Sequence, residues 1–316
     1  IILYEPYLPG ISLPGLEKVY QRCQAEVWNA NLPPTREELS AHVKGMEGLL
    51  VMLSDKIDAG VMDAAGATLK VISTYSVGVD HIDLVEATRR GIPVGHTPGV
   101  LTETVADFTF SLLLAAARRV AEADDYVRSG KWKTWQPTLL LGNEVHGATL
   151  GIVGFGRIGQ AVARRAAGFG MRNLYYDPQT DLKNIPEEIK AESAGLDQLL
   201  EESDFVSLHV PLSEETRHMF NRNLFSKMKD GAILVNTSRG PVVEQAALYE
   251  ALSSGKLAAA GLDVFEPEPL PLDSPLLKLK NLVVAPHIAS ASRQTRELML
   301  AMAAENLLAG MEGKRL

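Results

Sequence analysis

The sequence predicts an α/β protein built as two doubly wound parallel-sheet domains, and three observations carry that prediction. Short β-branched runs alternate with amphipathic stretches along the chain. The alternation is interrupted once, by a long helical pattern from Leu101 to Gly130, and a second series then runs from Thr149 to about Ala285. Strand and helix in alternation imply right-handed βαβ units and a parallel sheet covered on both faces. At 316 residues the chain also exceeds the usual size of one domain.

In the first series Ile1 to Tyr4, Glu26 to Trp28, Gly48 to Leu53, Leu69 to Thr74 and Pro93 to Gly95 read as strands, with helical periodicity between them. The interrupting helix has Thr102 as its expected N-cap and Glu103 in its first turn, and closes near Ser129 and Gly130. Its centre, Phe108 to Ala117, is apolar nearly all round, which predicts burial between domains or between subunits. The second series has strands at Thr149 to Val153, Asn173 to Tyr176, Phe205 to Leu208, Ala232 to Asn236, Ala259 to Leu262 and Leu282 to Ala285. A final helix, Ser290 to Met311, is long and apolar enough to return to the first domain. The expected domains are therefore 1–99 with 285–316, discontinuous, and 100–284 between them.

Composition narrows the function classes. A hydrophobic share of 46% and a charged share of 22% fit a soluble globular chain. The formal net charge is −8 and the basic residues form no run, which argues against nucleic-acid or anionic-membrane partners. Anions must then be bound locally, by helix N-termini and placed arginines. Cys23 is the only cysteine, so no intrachain disulfide and no cysteine-based metal site are expected; no metal is expected at the site. No stretch reaches the ~20 apolar residues that span a bilayer, the first residues read as a strand and not as a secretory leader, and the expected compartment is the cytoplasm.

Gly154-Phe155-Gly156-Arg157-Ile158-Gly159 follows the strand Leu150 to Val153 and opens a helix expected over Gln160 to Ala167. In that setting GxGxxG is a dinucleotide fingerprint. The first glycine permits the tight turn, the second admits a pyrophosphate to the backbone, and the third lets helix and strand pack closely. Asp177 stands eighteen residues beyond Gly159, at the end of the next strand, where a carboxylate accepts hydrogen bonds from both ribose hydroxyls. A 2′-phosphate would meet a like charge there, and Pro178, Gln179 and Thr180 supply no arginine to receive it. NAD(H) is therefore expected in preference to NADP(H).

Three further segments sit at expected C-terminal ends of strands, where doubly wound folds place ligands. They are Asn236 to Gly240, Gly261 to Pro269 and Ala285 to Ser290. Reduction of a 2-oxo acid needs a cation to grip the carboxylate and polarise the ketone, and an acid of near-neutral pKa to protonate the oxygen. Arg239 and His287 fit those two tasks. A carboxylate beside the histidine would favour imidazolium and hold the ring, and Glu268, in a proline-fixed loop, is the candidate.

With these residues in view, the chain resembles the D-2-hydroxyacid dehydrogenase family, and within it the glyoxylate/hydroxypyruvate reductases. The matching motifs are Val77-Gly78-Val79-Asp80, Gly154 to Gly159, Asn236 to Gly240, Leu262 to Pro269 and Pro286-His287-Ile288, over residues 48 to 310. The resemblance implies a Rossmann cofactor domain plus a flavodoxin-like substrate domain with a cleft between them, and hydride transfer from a nicotinamide cofactor to give the D-2-hydroxy acid. It implies that Arg239 binds the carboxylate and keto oxygen, that His287 is the acid/base paired with Glu268, and that Glu266 is a bystander. Asp263 would contact the nicotinamide carboxamide and Thr104 would approach that ring. Arg157, Ile158, Pro211, Thr216 and Thr237 complete the implied cofactor set. The amides of Val77 and Gly78 would hold the substrate carboxylate as a backbone nest, with Ser290 nearby.

Trp132 and Trp135 look like the segment that these reductases lend across a homodimer, through the 102–135 region, to the neighbouring active site. Ala289 departs from the Gly common after His-Ile, which would narrow the site beside His287, and Asp177 departs from the NADPH-using members. Two alternatives stay open: another D-2-hydroxyacid, formate or phosphite dehydrogenase on the same frame, and a non-catalytic NAD-sensing protein like the family's corepressors.

Overall fold

The computed structural model describes residues 14–28, 30, 32–179, 186 and 189–316. The chain divides into two compact units, Ile1–Leu101 with Ser290–Leu316, and Thr102–Ala289. The boundaries expected at 99 and 285 fall by contact at 101 and 289, so His287 belongs to the second unit. Among the described residues no helix is long and apolar enough to cross a membrane.

Unit 1 contains a parallel sheet of β1 (Gly48–Val51), β2 (Val71–Thr74) and β3 (Val94–Gly95) in that order. The expected strand Ile1 to Tyr4 lies outside the described residues, and of Glu26 to Trp28 only Trp28 carries a bridge. The helices α2 (Arg36–His42), α3 (Ala59–Ala65) and α4 (Leu84–Arg89) share one hydrophobic core with the sheet. Thr35 starts α2 with a complete capping box, and Asp58 and Asp83 cap α3 and α4 through their carboxylates. The last helix, α11 (Arg293–Met311), starts on a Ser292 cap and lies on β2 and on α1 (Pro14–Arg22). Ser73 donates to the Ala303 carbonyl at 2.7 Å and Tyr75 to that of Arg296 at 2.7 Å, which ties α11 to β2 and its C-terminal end.

Unit 2 carries seven parallel strands: β4 (Thr149–Val153), β5 (Arg172–Tyr176), β6 (Glu192–Ser193), β7 (Phe205–Leu208), β8 (Ala232–Asn236), β9 (Leu257–Leu262) and β10 (Leu282–Val284). Their order is β10-β9-β8-β7-β4-β5-β6. Chain order therefore reverses between β4 and β7, which is the switch point where such sheets bind ligands. Alternate residues feed two cores: Ala232 and Leu234 pack on one face, Ile233 and Val235 on the other. No strand is expected at β6, because its two exposed polar residues carry no apolar signal.

The expected single helix from 101 to 130 is two: α5 (Thr102–Ala117) and α6 (Val120–Arg128). The break has a tertiary cause. A Cβ on Gly142 would lie 2.2 Å from the Ala117 carbonyl oxygen, so the 142–143 backbone passes directly over the end of α5. Asn143 N–H donates to that carbonyl at 2.8 Å, and Arg119 turns into the left-handed region at φ 53°. The buried residues of α5, among them Phe110, Leu112 and Leu113, are accounted for largely within unit 2, where α5 packs on β8, β9, β10 and α7 (Arg157–Gly168). Thr102 is the first residue of α5, one place on from its expected capping position.

Candidate active site

Register places the site. Val153 pairs with Tyr176 on one side and Leu208 on the other, Leu208 with Asn236, Asn236 with Leu262, and Leu262 with Val284. The C-terminal ends of β5, β4, β7, β8, β9 and β10 thus form one edge. Consequently Gly154, Asp177, His209, Thr237, Asp263 and Ala285, far apart in sequence, each begin a segment at that edge.

At the turn from β4 to α7, Gly154 has φ 91° and a Cβ there would meet the His209 carbonyl carbon at 2.6 Å. Gly159 is excluded from carrying a side chain by the Gly154 carbonyl at 2.3 Å, whereas Gly156 faces open space. The α7 N-terminus has no side-chain cap, so its amides remain for an anion, and space over Gly156 gives that anion access. Arg157 is exposed and Ile158 partly buried in the first turn. These residues fit a dinucleotide pyrophosphate. Asp177 braces the turn: Oδ2 accepts from Phe155 N at 2.8 Å and Oδ1 from Gln179 N at 2.8 Å.

After β7 the loop is closed by Thr216, whose hydroxyl donates to the Pro211 carbonyl at 2.7 Å and accepts from Ser213 N at 2.8 Å. His209, which the sequence reading passed over, lies within hydrogen-bond distance of Ser207 Oγ, at 2.8 Å. Burial pushes its imidazole down to about 3, so it is neutral.

After β8, Thr237 Oγ1 is 2.8 Å from Thr109 Oγ1 of α5, and Thr104 lies in the first turn of the same helix. Asn236, buried, ties the next turn at both ends: Nδ2 donates to the Arg239 carbonyl at 2.9 Å, and Oδ1 accepts from Ser238 N at 2.9 Å. Gly240 follows because a Cβ there would overlap the Phe265 carbonyl oxygen at 1.9 Å. This close approach of the β8 and β9 loops brings Arg239 toward Glu268. Thr109 and Asn236 are structural parts of the site with no sequence signal beyond their neighbours.

After β9, Asp263 is fully buried and anchors three successive residues of the His287 turn. Its carbonyl accepts from His287 N, its Oδ1 from Ile288 N and its Oδ2 from Ala289 N, each at 2.8 Å. His287 itself has φ 54°, a costly conformation for a non-glycine residue, and these three bonds hold it there. Burial pushes the Asp263 carboxyl up, and the two amide bonds offset only part of that. The buried Ala289 is one of the residues so held.

Glu268 accepts from Phe265 N at 2.9 Å through Oε1 and meets His287 Nδ1 at 2.7 Å through Oε2. Burial pushes the Glu268 carboxyl up, but the hydrogen bond and charge of His287, the Phe265 amide and the charge of Arg239 outweigh it, so its pKa lies below the usual carboxylate range. An ionised carboxylate can only accept, so Nδ1 carries the proton and Nε2 is left to face a ligand. Glu266 is engaged elsewhere, with Arg217 at 2.7 Å and His218 at 2.6 Å. In unit 1, Val77 and Gly78 lie in the loop after β2, and Ser290 accepts from Ser292 N at 2.9 Å through its carbonyl. Trp132 and Trp135 are 58% and 78% exposed.

A dinucleotide turn, an imidazole fixed by a carboxylate and a guanidinium at one sheet edge define the class: a nicotinamide-dependent oxidoreductase. Comparison with known proteins agrees. Residues 110–289 match the family model described as D-isomer specific 2-hydroxyacid dehydrogenase, NAD binding domain. The chain is 56% identical over 301 residues to a glyoxylate reductase of Korarchaeum cryptofilum, covering 95% of this chain and 90% of that one. It is 48% identical over 292 residues to the human glyoxylate reductase/hydroxypyruvate reductase, covering 92% and 89%. Among solved structures, the D-lactate dehydrogenase of Aquifex aeolicus complexed with NAD and lactic acid superposes with a TM-score of 0.85 at 33% identity, over 99% of this chain and 96% of that one. The chain belongs to the D-isomer specific 2-hydroxyacid dehydrogenase family.

Proposed function

We propose that the protein is an NAD(H)-dependent reductase of glyoxylate and hydroxypyruvate that gives the achiral 2-hydroxy acid from the first and the D-2-hydroxy acid from the second, with Arg239, Glu268 and His287 as its catalytic residues. The observation that carries this reading is the Glu268–His287 pair, at 2.7 Å on a turn clamped by Asp263. Similarity to glyoxylate reductases supports the substrate class.

When bound, the nicotinamide supplies the hydride that adds to the carbonyl carbon. The chain supplies the rest. Amides at the start of α7 hold the pyrophosphate and Asp177 takes the ribose hydroxyls. Pro211, Thr216, Thr237 and Thr104 line the remaining length, and Asp263 contributes by fixing the His287 turn. Arg239 grips the carboxylate and carbonyl oxygen of the substrate, and Val77 and Gly78 supply the backbone amides proposed for carboxylate binding. Protonated His287 donates from Nε2 to the oxygen as negative charge develops there, and Glu268 stabilises the imidazolium beforehand. In the reverse direction neutral His287 takes that proton back.

Preference for NAD(H) rests on Asp177, whose carboxylate would repel a 2′-phosphate. The exposed Trp132 and Trp135 fit a face shared with a second copy, with Trp135 reaching the partner's substrate, and the cytoplasm is the proposed compartment. The direct test is oxidation of NADH and of NADPH with glyoxylate, hydroxypyruvate and pyruvate, alongside NAD reduction with formate and phosphite. Turnover of NADH with the first two oxo acids is expected. No oxo-acid turnover with either cofactor would remove the reading.

A further inference from the structure

Behind the Val77–Gly78 loop, unit 1 holds a string of polar side chains. Ser76 Oγ lies 2.6 Å from the Gly78 carbonyl, Thr74 Oγ1 2.8 Å from Ser76 Oγ, and His81 Nε2 3.0 Å from Thr74 Oγ1. Thr74 and Ser76 are buried. Counting protons gives the string a direction. A carbonyl only accepts, so the one hydroxyl proton of Ser76 is spent on Gly78. Ser76 Oγ must then accept from Thr74, and Thr74, its proton spent, must accept from His81 Nε2–H. The tautomer of His81 is thereby fixed.

The two preceding carbonyls are anchored as well. Ser76 O accepts from Thr97 N at 2.8 Å, and Val77 O accepts from His96 Nδ1 at 2.9 Å. Three successive peptide units thus have their carbonyls held by the protein. Their N–H groups belong to Val77, Gly78 and Val79, and in a trans peptide each points opposite to its carbonyl. Among the described residues these three N–H groups meet no acceptor. A hydrogen bond accepted by a carbonyl also polarises the N–H of the same peptide unit.

We infer that the His81–Thr74–Ser76 string positions the substrate-carboxylate nest: by clamping the Gly78 carbonyl it aims and strengthens the Val79 N–H, which serves as a third donor to the anion beside those of Val77 and Gly78. The inference rests on the reading that this loop holds the substrate carboxylate. His81, Thr74 and Ser76 are positioning residues, since none of them touches the substrate.

Steady-state kinetics with glyoxylate, inhibition by oxalate and thermal melting test it on the full chain. Ser76→Ala is expected to raise KM for glyoxylate and Ki for oxalate together by about fivefold to tenfold, the worth of one hydrogen bond. The loss should fall on KM while kcat stays within about twofold, as for removal of uniform binding, and KM for NADH should not move. Thr74→Val is expected to give a smaller rise, about twofold to threefold, and adding it to Ser76→Ala should give no further loss because the links act in series. Ser76→Thr, which keeps the hydroxyl, should restore binding. Unchanged glyoxylate KM and oxalate Ki in folded Ser76→Ala would overturn the inference, as would a fall in kcat at constant KM. If Ser76→Ala does not fold, Thr74→Val decides by the same two readouts. Gly78→Pro separates this from the underlying reading, because it deletes an amide of the nest itself. If folded Gly78→Pro also binds glyoxylate and oxalate normally, the carboxylate is not held at this loop. If only Gly78→Pro weakens binding, the loop holds it and the string has no part.

Discussion

Replacing Glu268 by glutamine keeps the shape of the side chain and removes its charge. In the native site Oε1 faces Phe265 N–H and Oε2 faces His287 Nδ1, so both oxygens accept. A glutamine has one acceptor for two donors. With its oxygen on Phe265, its NH2 confronts Nδ1 and opposes the protonated ring; with its oxygen on His287, its NH2 confronts the Phe265 N–H, a mismatch costing about 1–3 kcal/mol. Charge loss acts in addition. Two unit charges about 4 Å apart attract by roughly 1 kcal/mol in water and roughly 4 kcal/mol at an effective dielectric near 20. Side-chain exposures of 28% and 35% place the pair toward the weaker limit, so about 1–2 kcal/mol is lost from the protonated form. That amounts to about tenfold in the rate of reduction.

Reduction needs a proton from His287, so kcat/KM for glyoxylate should fall in Glu268→Gln by about tenfold or more. Oxidation of the 2-hydroxy acid should fall by the same factor at the same pH when cofactor binding is unchanged, because the overall equilibrium constant fixes the ratio of the two directions. Measurements of kcat/KM in both directions at neutral pH check this. Near-native kcat/KM in folded Glu268→Gln would refute the proton-donor role argued from this pair.

Arg239→Lys should lower kcat/KM for glyoxylate by about a hundredfold despite keeping its charge, because an ammonium cannot reproduce the paired contact of a guanidinium; near-native kinetics would displace Arg239. Gly240→Ala should cost more than about 3 kcal/mol or prevent folding, since its Cβ would sit 1.9 Å from the Phe265 carbonyl oxygen, and calorimetry reads this as a lower Tm. His209 adds an acid sensitivity. Its folded pKa is lowered to about 3, so the unfolded state binds the extra proton first, and each pH unit crossed downward between about 6.5 and 3 costs up to ~1.4 kcal/mol. Folded His209→Gln should show a shallower fall of stability with acid than the native chain, and parallel curves would contradict the burial argument.

Much of this protein was legible in its residues. β4, β7 and β8 were bounded correctly because buried parallel strands are continuous apolar runs ended by turn residues. The fingerprint glycines were readable because the backbone leaves no room for a Cβ at Gly154 and Gly159, and the Glu268–His287 contact, expected from the family resemblance, is present at 2.7 Å. What the chain did not announce arises from contacts between distant segments. Arg118 and Arg119 are compatible with a continuous helix, and only Gly142 and Asn143 lying across the Ala117 carbonyl end it. Asp263 as the clamp of the His287 turn, Asn236 as the brace of Arg239 and the proton order from His81 to Gly78 likewise depend on register and folding back. The sequence determined which chemistry was present and which turns needed glycine. The tertiary structure decided how the side chains are held, because hydrogen-bond direction and a positive φ at residue 287 are set by partners the local sequence does not contain.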